Sequence, residues 1–109
     1  MEQDITKIDF SKGDNLVPVI VQDANTKEIL TLAYSNKESL ERALTSGNSW
    51  FWSRSRKKLW MKGEESGNTQ KIRKILVDCD SDALIYLVEP AGPACHTGEH
   101  TCFHNSLKS

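Results

Sequence analysis

The sequence predicts an α+β fold, a small and mainly antiparallel β-sheet domain with one clear helix. Two observations predict it. Short segments rich in β-branched residues recur between Leu16 and Glu89 and are separated by turn residues. A single segment, between Asn36 and Gly47, carries apolar residues at helical spacing. Strands that outnumber helices and are interrupted by one are typical of α+β architecture.

The chain has 109 residues, a size that predicts one domain spanning residues 1–109. A domain this small builds a modest core, so a large site must lie at its surface or be completed by a second copy. The net charge of -1 gives no global field that would attract nucleic acid or a membrane surface. The polar N-terminal segment and the absence of a long apolar run predict a cytoplasmic protein with no membrane partner.

The first half of the chain predicts a hairpin. Leu16–Gln22 and Glu28–Tyr34 are the predicted strands, and the turn residues Asp23–Thr26 lie between them.

The predicted helix follows the hairpin directly. Asn36 is its expected N-cap, with Ser39 just inside the first turn. Leu40, Ala43 and Leu44 form the apolar stripe, and Gly47 ends it.

The second half predicts four further extended segments, Ser49–Ser53, Lys58–Lys62, Gln70–Cys79 and Ala83–Glu89. A basic loop joins the first two. After Pro90 the chain is expected to be irregular, because glycine and a further proline follow at once.

The C-terminal tail concentrates metal-binding residue types. All three histidines, and two of the three cysteines, follow Ala94. Thiolate and imidazole are preferred zinc ligands, so Cys95 and Cys102, with six residues between them, are predicted ligands. The alternative is a pair of small buried hydrophobes with solvated histidines. A solvated side chain is the favoured interpretation of His104, and spacing does not decide the role of His100.

An acidic triplet, Asp78, Asp80 and Asp82, surrounds the third cysteine, Cys79. If the extended conformation continues through it, the three carboxylates project from one face and Cys79 from the other. Carboxylate oxygens suit magnesium and a thiolate suits zinc. The alternative is an acidic turn that binds no metal.

A basic aromatic stretch contains all three tryptophans of the chain together with several arginines and lysines: Trp50, Phe51, Trp52, Arg54, Arg56, Lys57, Lys58, Trp60 and Lys62. Guanidinium groups bind phosphate through a planar fork of donors, and aromatic faces stack on bases. The pattern therefore indicates a nucleotide or a single-stranded nucleic acid as ligand. The alternative is a hairpin with core tryptophans and a solvated basic edge.

Read together, three stretches resemble the phosphoribosyl-AMP cyclohydrolase family: Trp52–Gln70, Asp78–Leu84 and Gly92–Phe103. The predicted hairpin, Val17–Tyr34, is also similar to the family. The chain departs from the family pattern at Lys27, where glycine is more frequent, and at Ser35, where methionine is more frequent.

The resemblance implies a hydrolase of histidine biosynthesis that acts as a homodimer with two shared active sites. It implies one zinc ion per subunit, bound by Cys79 of one subunit and by Cys95 and Cys102 of the other. One magnesium ion per subunit would bind the acidic triplet. His96 matches the proton-transfer residue of the family.

The implied substrate is the small nucleotide phosphoribosyl-AMP. The resemblance implies that a bound zinc ion would activate a water for attack on C6 of the adenine ring, and that the N1–C6 bond would break to give a formimino-imidazole carboxamide ribotide. The residues expected to contact the substrate are Arg54, Arg56 and Lys62, for phosphate, and Trp60, for packing against a ring.

Two other functions are compatible with parts of the pattern. One is a zinc-stabilised module that binds single-stranded RNA, against which the net charge of -1 argues. The other is a nucleotide sensor that binds a phosphoribosyl nucleotide without opening its ring.

Overall fold

The computed structural model describes residues 5–109, so Met1–Asp4 of the polar N-terminal segment lie outside the described residues. After a 3-10 turn the described chain contains six strands and one helix. In chain order these are β1 (Val17–Asp23), β2 (Ile29–Ser35), α1 (Lys37–Ser46), β3 (Trp50–Ser53), β4 (Lys58–Met61), β5 (Gln70–Val77) and β6 (Leu84–Pro90).

Two sheets are formed. The larger has the strand order β2-β1-β6-β5, and the smaller pairs β3 with β4. Three of the four strand pairings are antiparallel, whereas β1 and β6 run parallel. The expected α+β class with mostly antiparallel sheets is confirmed. The parallel pairing joins distant parts of the chain, and local sequence does not predict it.

The β1–β2 hairpin is held at its turn by Asp23. This buried carboxylate accepts from the backbone N–H groups of Asn25 and Thr26, at 2.8 and 3.1 Å. Burial opposes ionisation of Asp23, but these donors outweigh it and lower the pKa. Lys27 in the same turn has a φ of 68°. This left-handed conformation favours glycine, which accounts for the residue more frequent there in the family.

Helix α1 begins and ends as expected. Asn36 Oδ1 accepts from the Ser39 backbone N–H at 2.8 Å, and Ser39 Oγ accepts from the Asn36 backbone N–H at 2.9 Å. Gly47 ends the helix with a φ of 77°. Leu40 is buried in the core, but Leu44 of the predicted apolar stripe is 55% exposed.

The core lies on one face of the larger sheet. Alternate residues of its two central strands are buried there with Phe51 of β3: Val17, Val19, Val21, Leu84, Tyr86 and Val88. The opposite face carries an aliphatic row that crosses all four strands in register, formed by Leu32, Ile20, Ile85 and Leu76. Exposure of Leu32 reaches 48%, so this row is unusually apolar for a solvent-facing surface.

Among residues 5–109 we find no helix with the length and apolarity that crossing a membrane requires.

Candidate active site and metal ligands

The C-terminal segment is irregular in conformation but firmly attached to the sheet. A tight loop closes where the Cys95 N–H donates to the Glu99 carbonyl at 3.1 Å. Further along, the Cys102 N–H donates to the carbonyl of Leu30 at 2.7 Å. Because β2 is an edge strand of the larger sheet, this bond places Cys102 at the outer edge of the sheet, near the start of β2.

Cys95 and Cys102, the two predicted tail ligands, lie together. Cys95 is buried, and the Thr97 hydroxyl donates to its Sγ at 3.1 Å. That bond lowers the pKa of the Cys95 thiol to about 6, and the backbone of Thr97, His104 and the Cys102 thiol contribute to the same lowering. Cys95 is therefore a thiolate at neutral pH, the form that binds zinc. This donor chemistry fits the zinc ion that the resemblance implies.

The three tail histidines occupy different environments. His104 is exposed, as expected of a solvated side chain, and its Nε2 also lies 3.9 Å from Cys95 Sγ. His100 Nε2 lies 3.4 Å from Asp23 and 3.3 Å from Glu28, which ties the tail loop to the β1–β2 turn. His96 is exposed beside the buried thiolate. A side chain in the position of His96 can therefore exchange protons with solvent.

The acidic triplet adopts a turn rather than an extended strand. Strand β5 ends at Val77, and Ser81 has a φ of 60°. Asp78 Oδ1 accepts from the backbone N–H of Asp82 at 2.9 Å, which lowers the pKa of Asp78. The expected alternation of carboxylates and Cys79 on two faces is therefore wrong, because the hairpin reverses the chain here.

The turn brings at least two of its carboxylates near each other. The Asp80 carboxylate opposes the lowering of the Asp78 pKa, so the two negative charges are close enough to repel one another. Lys12 Nζ lies 3.1 Å from Asp82 and supplies one balancing charge. Carboxylate oxygens are the donors a magnesium ion prefers, so the residue types suit that ion, but within residues 5–109 they do not form a group able to hold a metal.

Cys79 lies far from the other two thiols. The acidic turn precedes β6, so it lies at the end of the sheet where β1 begins and β2 ends. Cys102 lies at the opposite end of β2, on the other edge of the sheet. A diagonal across four strands of this length is on the order of 20 Å. Consistently, residues 5–109 contain no group of three Cys, His, Asp or Glu side chains able to hold a metal.

The basic aromatic stretch forms the β3–β4 hairpin and one wall of a cleft. The cleft has a volume of about 530 Å³ and is lined by Leu32, Ala33, Tyr34, Trp52, Ser53, Arg54, Ser55 and Trp60. Of the four predicted substrate contacts, Arg54 and Trp60 line it, whereas Arg56 and Lys62 do not. Phe51 points into the core, with its ring centroid 5.8 Å from that of Tyr86. Both interpretations of this stretch therefore hold in part. Arg54 and Trp60 line a cleft that could take a ligand, and Phe51 is a core residue of the hairpin.

Tyr34 was missed by sequence reasoning. The Arg54 guanidinium lies 3.9 Å above the centroid of its ring. The only sequence signal was an aromatic residue on the non-core side of β2, which does not distinguish a ligand contact from a surface residue.

The loop that follows β4 depends on Gly63. A Cβ on Gly63 would lie 2.4 Å from the backbone carbon of Asn68, and its φ of +84° already disfavours other residues. Gly67 has a similar φ of +82°, but a Cβ there would meet nothing within 4 Å. We expect Gly63→Ala to lower the free energy of unfolding by about 3–4 kcal/mol and Gly67→Ala by about 1 kcal/mol. Urea unfolding measures both, and equal losses would contradict the role given to the Asn68 contact.

Comparison with known proteins agrees with the motifs. A sequence profile described as Phosphoribosyl-AMP cyclohydrolase matches residues 31–104. The Phosphoribosyl-AMP cyclohydrolase of Nitrosopumilus maritimus (strain SCM1) is 75% identical over 108 residues, 99% of this chain and 100% of that protein. That of Cenarchaeum symbiosum (strain A) is 73% identical over 107 residues, 98% of this chain and 99% of that protein.

A longer relative matches over part of its length. The Histidine biosynthesis bifunctional protein HisIE of Thermus thermophilus is 57% identical over 104 residues, 95% of this chain and 48% of that protein. The profile match covers more than half of the chain, and two relatives align along almost their whole length. The chain therefore belongs to the phosphoribosyl-AMP cyclohydrolase family and is an enzyme.

Proposed function

We propose that this enzyme hydrolyses the N1–C6 bond of the adenine ring of phosphoribosyl-AMP, giving the formimino-imidazole carboxamide ribotide. The observation that carries the proposal is the buried Cys95 thiolate, grouped with Cys102 on the edge of β2 in a member of this family. A thiolate held by a hydroxyl donor beside an exposed histidine suits metal-assisted hydrolysis better than a purely structural role.

Cys95 and Cys102 of one subunit, with Cys79 of a second, are the proposed zinc ligands, and the acidic triplet is the proposed magnesium site. Zinc, when bound, supplies a Lewis acid that makes water a nucleophile near neutral pH. We propose a location in the reducing cytoplasm, where thiol ligands such as these three cysteines stay reduced.

His96 is the proposed proton carrier. In the reaction the oxygen of water bonds to C6, the N1–C6 bond breaks, and N1 must receive a proton as it leaves. The His96 ring adjoins the thiolate in sequence and is exposed, so it can exchange protons with solvent and deliver one to N1. Arg54, Arg56 and Lys62 remain the proposed phosphate contacts, and Trp60 the proposed ring contact.

The positions of the thiols support a homodimer if all three bind one zinc ion. Within one subunit the acidic turn and the tail thiols lie at diagonally opposite corners of the sheet, on the order of 20 Å apart. A two-fold axis brings the acidic turn of each subunit to the tail thiols of its partner, so the same contact forms twice. Two equivalent sites then form, each completed by a Cys79 from across the interface.

The aliphatic row is the surface proposed to meet the second copy. Its four side chains lie side by side across the outer face of the sheet, and three of them are at least 36% exposed. Leu32 of this row also lines the cleft, so the proposed interface and the proposed site share an edge.

The activity is tested by incubating the zinc- and magnesium-supplemented protein with phosphoribosyl-AMP and following the ultraviolet absorbance change as the ring opens. We expect turnover by the parent and a loss of at least about 10³-fold in Cys95→Ser, because serine is a poor zinc ligand. Zinc content is measured on both proteins. Equal turnover by Cys95→Ser would remove Cys95 from the site, and a folded, zinc-loaded parent without turnover would favour the non-catalytic nucleotide sensor.

A further inference from the structure

The cleft beside β2 has the chemistry of a phosphate subsite. Its lining residues include Arg54 and three residues with hydroxyl groups, Tyr34, Ser53 and Ser55. None of its lining residues is acidic, so nothing in the cleft repels an anion. The two serine hydroxyls lie 3.4 Å apart and can donate to one group.

The Arg54 guanidinium is held by a ring and not by a carboxylate. It lies 3.9 Å from the Tyr34 ring centroid, and among residues 5–109 no acidic side chain forms an ion pair with it. Stacking on an aromatic face leaves the in-plane N–H donors of a guanidinium free. A carboxylate partner would occupy those donors.

The position of Tyr34 along β2 suits a phosphate-bearing arm of the substrate. Tyr34 lies four residues from Leu30, where the Cys102 backbone is attached, and this is about 13 Å along a strand. Each phosphate of phosphoribosyl-AMP is carried on a ribosyl arm, away from the reacting ring carbon. A phosphate subsite is therefore expected at a distance from the thiols on the same edge of the sheet.

We propose that Tyr34 is a positioning residue, whose ring holds the Arg54 guanidinium ready to bind a substrate phosphate together with Ser53 and Ser55. The inference rests on the function proposed above and adds a residue and a subsite to it. Arg54 forms the phosphate contact, and Tyr34 acts through Arg54. Pre-orientation of the planar fork reduces the side-chain entropy lost on binding.

The first test is steady-state kinetics. Tyr34→Leu removes the ring face and should raise KM for phosphoribosyl-AMP about fivefold with kcat nearly unchanged. Tyr34→Phe keeps the ring and should restore KM to within about twofold of the parent. In an Arg54→Gln background, Tyr34→Leu should have no further effect. Additive effects of the two substitutions would overturn the proposal.

A matched control is available in the same protein. Arg42 lies 5.1 Å from the Trp50 ring centroid and outside the cleft, although it also pairs with Glu38 at 3.6 Å. Arg42→Gln should leave KM unchanged. A rise in KM equal to that caused by Tyr34→Leu would overturn the proposal, because disruption of any arginine–aromatic pair would then raise KM.

A binding measurement separates this inference from the proposed activity. Trp52 and Trp60 line the cleft, so their fluorescence reports its occupancy. AMP should bind about fivefold more weakly to Tyr34→Leu than to the parent, and adenosine, which lacks the phosphate, equally to both. Arg54→Lys, a change at an exposed side chain, should reproduce the AMP result if Tyr34→Leu fails to fold.

The outcomes are distinct. Turnover by the parent with unchanged AMP binding in the variants overturns the subsite and leaves the activity standing. Absence of turnover with a selective loss of AMP binding supports the subsite and overturns the activity. Equal losses for AMP and adenosine overturn the subsite, since they indicate a role for Tyr34 that is independent of phosphate.

Discussion

Refolding Cys79→Ser together with Cys95→Ser is expected to restore about a quarter of the parent activity, although each variant alone should be inactive. Random association of two variants makes half of the dimers mixed. In a mixed dimer one site contains both serine substitutions. The other site contains an unaltered Cys79 from one subunit and unaltered Cys95 and Cys102 from the other. One of two sites is thus active in half of the molecules.

The control pairs two substitutions on the same side of the site. Cys95→Ser and Cys102→Ser both alter the tail, so a mixed dimer carries one altered tail in each site and no activity returns. Zinc content of the mixtures, measured by native mass spectrometry, should follow the same pattern. Recovery in both mixtures, or in neither, would show that the thiols are not divided between subunits as proposed.

Local sequence accounts for the hairpin and the helix, because their signals lie within a few residues of the structure they specify. Asn36 and Ser39 form reciprocal caps, and Gly47 takes the left-handed conformation that ends the helix. The turn after β5 was only the alternative to an extended segment, because its left-handed residue is Ser81 and not glycine. The parallel β1–β6 pair depends on tertiary packing, which no local pattern encodes.

The candidate site likewise contains residues that local sequence identifies and contacts that only the folded structure brings together. Composition singles out Cys95 and Cys102, since soft ligands concentrated in a short tail are rare without a metal. It does not reveal that Cys79 lies across the sheet, because that separation follows from strand order. The contact between His104 and Cys95, and that between Arg54 and Tyr34, join segments whose proximity only the folded chain defines.

Introducing a charge into the aliphatic row should separate the subunits without unfolding them. Ile20 is 36% exposed in the isolated subunit, so Ile20→Lys has solvent for its ammonium group when the subunit is alone. In the proposed dimer the same group is buried without a partner, at a cost of about 3–5 kcal/mol. Size-exclusion chromatography with light scattering should therefore show a dimer dissociation constant raised at least about a hundredfold.

Leu44→Lys is the matched control, since Leu44 is an exposed leucine on α1, outside the row, and its substitution should leave the dimer intact. Activity of Ile20→Lys should depend on protein concentration. It should be low where subunits are separate and recover where the dimer re-forms, because each active site needs Cys79 from the partner copy. Activity lost equally at all concentrations would instead mean that Ile20 supports the site within one subunit. A monomer with full activity would exclude shared sites altogether.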